Sequence, residues 1–184
     1  MKVLVLHGSP RKGRNSDTLV KWFLQGLDPE SQAEVEHFYP NGLSIKPCQG
    51  CLYCATSEDH SCRILDDMQD IYESYKKSDV VVFATPMYWG YLTAQLKTVL
   101  DRMEALAWKG FGNKTFAVLI TYRFHCRSAV AFFERIAPFF NISLHSLTCQ
   151  TYDEDKESDI DINDLPDKLE DARKLGNKIR MKFI

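Results

Sequence analysis

The chain opens with an apolar run that leads, without a spacer, into a loop rich in hydroxyls and basic side chains. Residues 3–6 read VLVL, residues 7–16 read HGSPRKGRNS, and residues 18–27 carry apolar side chains at helical spacing. A strand, a loop and a helix in this order place the free N–H groups and the positive dipole end of the helix at the loop. The N-terminal segment therefore predicts an anion site at the end of the first strand.

The composition of this loop indicates which anion it would hold. It lacks the closely spaced glycines that let a backbone approach a pyrophosphate, and it lacks the Gly-Lys-Ser/Thr ending of a P-loop. A dinucleotide or a triphosphate is therefore a poor fit. The hydroxyls of Ser9, Ser16 and Thr18, the amides and three basic side chains suit one phosphate. The loop is typical of a mononucleotide site.

Apolar runs alternate with helical patterns along the rest of the chain. We interpret residues 3–6, 80–83, 116–121 and 142–147 as buried strands and residues 33–39 as an edge strand. Helical patterns cover residues 18–27, 66–75, 95–106, 128–139 and 164–182, with Asn15 or Ser16 as the expected cap of the first helix. Such alternation predicts an α/β fold with a parallel sheet covered on both faces. We expect a flavodoxin-like, doubly wound, five-stranded sheet in three layers, with strand order 2-1-3-4-5.

Length and charge narrow the organisation and the partners. A chain of 184 residues with 45% hydrophobic composition predicts one domain over 1–184, with a cysteine-rich insertion at about 44–64 and a C-terminal helix at about 164–182. A net charge of -2 without a basic stripe argues against nucleic acid. No apolar stretch reaches the roughly 18 residues of a membrane span, and Met1-Lys2 leads into a strand, so we expect no membrane partner and a cytoplasmic location.

The charges are unevenly distributed along the chain. Residues 1–25 carry five basic side chains and one acidic one, whereas residues 153–171 carry ten acidic and two basic ones. One end would therefore steer an anionic ligand. A solvated acidic surface explains the C-terminal charges equally well, and both interpretations stay open.

A second loop, at the end of the strand over 80–84, is rich in aromatic side chains. It reads Thr85-Pro86-Met87-Tyr88-Trp89-Gly90-Tyr91. Three aromatics and a methionine would expose a costly apolar surface unless something covers them. A flat aromatic cofactor such as a flavin would do so, with backbone amides and the Thr85 hydroxyl at the polar edge of the ring. Alternatively, Tyr88 and Trp89 pack at a subunit interface, and we expect a homodimer or homotetramer.

Four of the six cysteines fall in one short segment. Cys48, Cys51, Cys54 and Cys62 form a C-x2-C-x2-C-x7-C pattern. Since disulfides are disfavoured in a cytoplasmic chain, this density indicates metal or redox chemistry. Three thiolates at i, i+3 and i+6 can wrap one side of an iron–sulfur cubane, and a fourth can close it. Zinc usually takes two separated C-x2-C pairs, so the spacing favours iron and sulfur, while zinc and free or redox-active thiols remain alternatives.

Taken together, the two loops resemble the flavodoxin-like NAD(P)H-dependent FMN reductases. The shared motifs are Gly-Ser-Pro-Arg at 8–11, Asn-Ser at 15–16 and Thr-Pro-Met-Tyr-Trp at 85–89. The resemblance implies that Ser9, Arg11, Asn15 and Ser16 line the FMN phosphate and that residues 86–90 lie along the isoalloxazine ring. Thr121 and Tyr122 complete the expected cofactor site. They precede Arg123, Phe124 and His125, where many relatives have glycine-rich residues.

Within this superfamily the cysteine segment is similar to the compact motif of the iron–sulfur flavoproteins. That resemblance implies a [4Fe-4S] cluster held by Cys48, Cys51, Cys54 and Cys62 near the flavin. A cluster would split a two-electron hydride into single electrons, and the partner would then be a ferredoxin-like carrier.

The leading hypothesis is an FMN-dependent oxidoreductase. It would pass reducing equivalents from NAD(P)H or a reduced carrier to a quinone, a flavin, an iron centre or another small acceptor, and no side chain need act as acid or base. The alternative is a non-enzymatic electron carrier that exchanges electrons only with protein partners, as a flavodoxin does. A third interpretation is a flavin-free sensor whose cysteines bind zinc.

Overall fold

Five parallel strands form the central sheet of the computed structural model, which describes residues 1–108 and 111–184. The strands are β1 (Lys2–His7), β2 (Glu34–Phe38), β3 (Val80–Tyr88), β4 (Thr115–Tyr122) and β5 (Ser143–Gln150). Their order is β2-β1-β3-β4-β5, so the predicted order 2-1-3-4-5 is confirmed. The central strands are buried because helices cover both faces of the sheet, whereas β2 lies at an edge and exposes much of its surface. β5 lies at the other edge, and the prediction of a buried strand at 142–147 is wrong, because an edge strand is covered less and only Cys149 of β5 is fully buried.

Five helices connect and cover these strands, close to the predicted ranges. They are α1 (Asn15–Leu27), α2 (Met68–Lys77), α3 (Ala94–Arg102), α4 (Arg127–Ile136) and α5 (Pro166–Arg180). Short helical turns cover Pro40–Gly42, Tyr53–Thr56, Glu104–Ala107, Ala137–Phe140 and Ile162–Asp164. None of the helices in the described ranges is long and apolar enough to span a bilayer.

The start of α1 differs from the sequence prediction. Arg14 is the N-cap residue, and its side chain makes no capping hydrogen bond. The predicted caps, Asn15 and Ser16, are the first two residues of the helix itself. Both side chains bond to distant parts of the chain instead, as the site below shows, because tertiary partners outweigh a local capping preference.

The core has two halves, one on each face of the sheet. On one face, α1 and α5 pack against alternate residues of β1 and β3, including Val3, Val5 and Val82. On the other face, α2, α3 and α4 cover Leu4, Phe83 and their neighbours. This alternation follows from the period of two along a strand.

Helices α1 and α5 approach so closely that two glycines are needed at their contact. A Cβ added to Gly176 would lie 2.2 Å from the carbonyl oxygen of Phe23, and one added to Gly26 would lie 2.0 Å from that of Arg173. No real side chain tolerates such distances. The contact holds α1, and with it the loop that precedes the helix, against the sheet.

The carboxyl ends of β1, β3 and β4 meet at one edge of the sheet. His7 pairs with Ala84, and Pro86 pairs with Thr121. Gly8 sits between the strands: its N–H donates to the Ala84 carbonyl at 2.7 Å, and an added Cβ would lie 2.9 Å from Leu96 Cβ. The two loops that the sequence singles out are therefore neighbours in space.

Candidate functional site

An open cleft of about 660 Å³ lies at this edge of the sheet. Ten of the thirteen residues predicted to bind a cofactor lie on its wall: Ser9, Arg11, Asn15, Ser16, Pro86, Met87, Tyr88, Trp89, Thr121 and Tyr122. The first loop forms one end, the aromatic loop forms the mouth, and the end of β4 forms the floor between them. Residues far apart in sequence thus surround one space large enough for a small ligand.

The other three predicted residues do not line the cleft. Thr85 is fully buried, and its hydroxyl donates to the Pro86 carbonyl at 2.8 Å. Thr18 lies in the second turn of α1, and Gly90 lies at the tip of a hairpin, where its carbonyl accepts a hydrogen bond from Ser128 Oγ at 2.5 Å. The Thr85 hydroxyl therefore fixes the start of the aromatic loop rather than offering itself to a ligand.

The first loop presents cations at the N-terminus of α1. Arg11 and Arg14 are exposed, and neither pairs with a carboxylate anywhere in the described ranges. The Ser9 hydroxyl accepts from the Arg11 N–H at 3.2 Å and thereby shapes the loop, while Ser16 Oγ bonds Thr121 Oγ1 at 2.9 Å. Because the first N–H groups of a helix lack intrahelical partners, this end of the cleft favours an anion.

Asn15 has a different contact from the phosphate contact that the resemblance implies. Its side-chain amide donates to the Ile160 carbonyl at 3.0 Å, and its amide oxygen accepts from the Ile162 N–H at 3.3 Å. Both polar ends of the side chain are thus engaged with the backbone of the C-terminal segment. Asn15 ties that segment to the start of α1 and so builds a wall of the cleft.

The aromatic loop turns through a tight hairpin at the mouth of the cleft. Tyr88 pairs with Tyr91, and the two residues between them, Trp89 and Gly90, have φ values of +48° and +75°. This left-handed backbone is ordinary for glycine but costs a tryptophan about 1–3 kcal/mol. The Trp89 indole is fully exposed, with a relative surface of 105%. A strained backbone that holds a bare aromatic ring in solvent suits a surface that is covered when a ligand or another subunit binds.

The far wall comes from the acidic segment near the C-terminus. A small hairpin of Tyr152–Asp153 and Ser158–Asp159 brings Asp159 within 2.6 Å of Arg123. Both side chains are well exposed, so solvent screens this ion pair and it contributes little to stability. It nonetheless closes the wall opposite the first loop.

Sequence reasoning missed several residues of the cleft. These are Thr151, Asp159, Ile160 and Asp161, whereas Arg14 is one of the three basic side chains that the first loop was expected to offer to a phosphate. The sequence did hold one signal for these residues. Acidic side chains are in excess at 153–171 and basic ones at 1–25, and these two segments meet at the cleft. Nothing local in the sequence gives the pairing of Asn15 with Ile160.

A chain of hydrogen bonds supports the first loop from below. His7 Nδ1 bonds Asp17 Oδ1 at 2.8 Å, and His7 Nε2 bonds His37 Nδ1 at 2.9 Å. The other carboxylate oxygen of Asp17 accepts from the Gly13 N–H at 2.6 Å. Asp17 thus joins the end of β1 to the loop, and the His7 ring stacks on Tyr39 with ring centroids 4.1 Å apart.

The titration of this chain of groups follows from burial and neighbouring charge. Burial raises the pKa of Asp17, but the hydrogen bonds from His7 and Gly13 outweigh it and leave the pKa below its ordinary value. Burial, aided by the nearby His7, lowers the pKa of His37. Neutral His37 and ionised Asp17 are therefore the forms that the folded chain favours.

The four clustered cysteines border a separate, small hollow. Cys48, Cys51, Cys54 and Cys62 all line a space of about 50 Å³. Cys48 and Cys51 are exposed, and the other two are half-buried. Within the described ranges, no three His, Cys, Asp or Glu side chains lie at the spacing of a formed metal site. Burial, together with the Glu104 carboxylate, raises the pKa of the Cys54 thiol.

A buried arginine, Arg102, holds together the two ends of the cysteine segment. Arg102 Nη1 donates to the Lys46 carbonyl at 2.8 Å, and Nη2 donates to the Ile64 carbonyl at 3.1 Å. The same two nitrogens form a bidentate pair with the Asp66 carboxylate. Burial raises the pKa of Asp66, but these bonds outweigh it and lower the pKa overall. Arg102 therefore joins both ends of the segment, a role that sequence reasoning missed.

Comparison with known proteins adds to this geometry. An iron-sulfur flavoprotein of Methanosarcina thermophila is 35% identical over 114 residues, which cover 62% of this chain and 58% of that protein. An iron-sulfur flavoprotein of Archaeoglobus fulgidus is 38% identical over 104 residues, covering 56% and 51%. The chain thus spans a little over half the length of these curated relatives.

Solved structures show the same fold at low sequence identity. An NAD(P)H:quinone oxidoreductase from Methanothermobacter marburgensis superposes with a TM-score of 0.72 at 17% identity, over 97% of this chain and 96% of that one. An archaeal flavodoxin superposes with a TM-score of 0.60 at 11% identity, over 99% and 98%.

The family match covers the two loops and the cysteine segment together. Residues 1–132 match the family described as NADPH-dependent FMN reductase. This range contains the first loop, the cysteines and the aromatic loop, so the motifs that carry the resemblance lie inside it. The chain therefore belongs to the NADPH-dependent FMN reductase family.

Proposed function

We propose that the protein binds FMN in the 660 Å³ cleft and transfers reducing equivalents from NAD(P)H, or from a reduced carrier, to a small acceptor such as a quinone, a flavin or an iron centre. The observation that carries this proposal is the difference between the two ends of the cleft, one cationic and the other aromatic. Two arginines that form no ion pair with any carboxylate of the described residues lie at the N-terminus of α1, and a solvent-exposed aromatic hairpin lies at the mouth. A phosphorylated ligand with a flat apolar ring matches both ends.

The first loop would hold the phosphate. Arg11 and Arg14 supply charge, the first N–H groups of α1 supply donors, and Ser9 keeps the loop in shape. Asn15 holds the wall formed by residues 160–162 in place. The sixteen-residue segment that opens the chain thus provides both binding and positioning.

The aromatic hairpin and the end of β4 would hold the ring. The backbone of Pro86 and Met87 offers donors and acceptors for its polar edge, and Tyr88 and Trp89 provide apolar cover. The Ser16–Thr121 hydrogen bond fixes the floor of the cleft. Bound FMN would supply the hydride and single-electron chemistry, while these residues orient the ring and exclude water.

We propose further that the cysteine segment holds a [4Fe-4S] cluster. Four thiols already border one hollow, a donor set that suits an iron–sulfur cluster or a zinc ion. Two of the thiols lie on exposed loop backbone, so they can turn inward without disturbing the core. The names of the curated relatives favour iron and sulfur. A ferredoxin-like protein would then be a partner in electron transfer.

The exposed Trp89 ring also supports a proposed homodimer or homotetramer. A fully exposed indole beside Tyr88 is typical of a surface that a second subunit covers. Light scattering of the purified protein tests this assembly, and a monomer at micromolar concentration would contradict it.

The test of the main proposal is one anaerobic preparation measured in three ways. The visible spectrum reports flavin, chemical assay reports iron, sulfide and zinc per chain, and NADPH or NADH oxidation is followed with a quinone or free flavin as acceptor. We expect bound FMN and multiple turnovers. Flavin with electron exchange but without pyridine-nucleotide oxidation would make the protein a carrier instead, and failure to bind FMN would refute the proposal.

A further inference from the structure

Arg102 is a deeply buried cation with one unused hydrogen-bond donor. Its side chain is 1% exposed, yet its Nε–H is buried and has no partner among the described residues. The other two nitrogens are fully occupied by Lys46, Ile64 and Asp66. An unpaired N–H in such a place is unfavourable, which points to an acceptor that binds there.

The surroundings of Arg102 show what that acceptor would be. Arg102 is part of the wall of the hollow that the four cysteines border. Cys62 lies within electrostatic range of both Arg102 and Tyr72, and the Tyr72 hydroxyl fixes the arginine by donating to its backbone carbonyl at 2.7 Å. The Tyr72 hydroxyl oxygen also interacts with the guanidinium, and among the acceptors around the hollow the cysteine sulfurs are the ones that gain negative charge when they bind a metal.

The charges of the hollow also require a cation. Four thiolates around a metal ion or an iron–sulfur cluster concentrate negative charge, and the same wall carries the Glu104 carboxylate and the exposed guanidinium of Arg63, so that Arg102 is its buried cation. Asp66 offsets the full charge of Arg102, but its carboxylate bonds to Nη1 and Nη2 and leaves Nε free. The Nε–H group of Arg102 is therefore free to donate a hydrogen bond to a sulfur atom, which net charge alone would not provide.

We propose that Arg102 is a positioning residue of the four-thiolate site, a role that rests on the proposed metal binding by Cys48, Cys51, Cys54 and Cys62. It holds the two ends of the cysteine segment together through Lys46 and Ile64. It also donates from Nε to cysteine sulfur once the thiolates are bound to metal. The donated bond favours the more reduced, more negative state of a bound cluster.

The test compares Arg102→Lys with Arg135→Lys, the same change at an exposed position of α4. Lysine keeps the charge but cannot hold two carbonyls, a carboxylate and a sulfur at once. Zinc ion alone serves as the first probe, through competition with a chromophoric chelator. We expect R102K to lower Zn²⁺ affinity about 10- to 100-fold, the usual effect of losing an outer-sphere partner. R135K should match the wild type, and FMN affinity should be the same in all three proteins.

Two further measurements separate a role at sulfur from a general structural role. After reconstitution with iron and sulfide, the midpoint potential of the cluster should be more negative in R102K than in the wild type. In a double-mutant cycle, the effects of R102K and Cys62→Ser on Zn²⁺ affinity should not add, because both changes remove the same contact. If R102K does not fold, Tyr72→Phe keeps the guanidinium and loosens its placement, and should weaken zinc binding several-fold.

The outcomes distinguish this inference from the proposed function. If R102K or Tyr72→Phe binds zinc as the wild type does, and R102K shows an unchanged midpoint potential, Arg102 has no role at the site. If the wild type binds zinc but takes up no iron and sulfide, the proposed cluster fails while the zinc affinities still decide the role of Arg102. If the wild type binds neither, both proposals are overturned, although FMN binding stands apart.

Discussion

The side-chain amide of Asn15 donates a hydrogen bond to the backbone carbonyl of Ile160, across 145 residues of sequence. Together with the bond from the Ile162 N–H, it fastens the acidic C-terminal segment to the N-terminus of α1. The charge asymmetry between the two ends of the chain thus has a structural counterpart: the basic loop and the acidic segment form opposite walls of one cleft.

Replacing Asn15 by alanine should loosen the wall of the cleft. Two part-buried hydrogen bonds are lost, which should lower the free energy of unfolding by about 1–3 kcal/mol. FMN affinity should also fall, because the wall is no longer held in place. Urea denaturation and FMN fluorescence titration measure the two effects. Asn177→Ala, an exposed change on α5, is the control, and equal behaviour of the two variants would contradict the role given to Asn15.

Replacing Arg14 by alanine should weaken FMN binding without affecting riboflavin, which lacks the phosphate. Loss of a charge-assisted hydrogen bond is worth about 1.5–3 kcal/mol, or roughly a tenfold or greater change in Kd. Lys21→Ala removes the same charge from α1 at a residue outside the cleft and should leave both affinities unchanged. Parallel calorimetric titrations with FMN and riboflavin make the comparison. An equal loss for the two ligands would place the phosphate elsewhere.

Replacing Trp89 by asparagine should stabilise the fold while weakening the binding of the flavin. Asparagine tolerates the left-handed backbone at φ +48° better than tryptophan does, so the Tm should stay level or rise. Loss of the indole should raise the Kd for FMN about tenfold, the value of one good aromatic contact. Phe139→Asn, at another exposed aromatic, controls for lost surface hydrophobicity. If the Kd for FMN is unchanged in W89N, the indole does not contact the flavin and a subunit contact is its remaining role.

Acidification should destabilise the protein once the pH falls through 6.5, the ordinary pKa of histidine. The pKa of His37 is lowered in the folded chain from an ordinary 6.5, mainly by burial, so the unfolded chain binds the proton more readily. The stabilisation is complete above about pH 7 and is lost as the pH falls through 6.5 towards the folded value. His145 is lowered by burial and by Lys182, and it contributes with the same sign.

The matching experiment measures the free energy of unfolding against pH. His37→Asn and His145→Asn should each flatten the dependence in this window, and the double variant should flatten it further. Asp17 acts at lower pH, because its lowered pKa gives stability that is lost only as the pH falls through and below the ordinary value of 3.8. If the unfolding free energy of His37→Asn depends on pH as it does in the wild type, the titration of His37 is not coupled to folding.

Replacing Gly176 by alanine should damage the contact between α1 and α5. The added methyl group would lie 2.2 Å from a backbone oxygen of α1, and the helices must separate to admit it. We expect a loss of about 1–3 kcal/mol or more in unfolding free energy. Gly42→Ala is the matched control, since an added Cβ there meets no heavy atom within 4 Å, and it should stay within about 1 kcal/mol of the wild type. Thermal and urea unfolding of both variants decide the matter.

Most strands and helices, and both loops that carry chemistry, can be located from local patterns in the sequence. Buried strands such as β1 and β3 are nearly continuous apolar runs, and α1 repeats apolar residues at helical spacing, so local periodicity is enough to find them. Because parallel strands end at one edge of a sheet, the first loop and the aromatic loop were expected to meet, and they do. The sheet order was predictable from the alternation of strands and helices, and the family was predicted from the resemblance of the two loops to the FMN reductases.

The contacts of individual side chains, in contrast, become visible only in the folded chain. Asn15 occupies a motif position that predicted a contact with phosphate. Its side-chain amide instead forms hydrogen bonds with the backbone of Ile160 and Ile162. The Thr85 hydroxyl donates to the Pro86 carbonyl, and the Arg102 side chain, at the last residue of α3, bonds both ends of the cysteine segment. Hydrogen bonds between residues so far apart have no local signature in the sequence. They form because buried polar groups must find partners, and folding determines which partners come within reach.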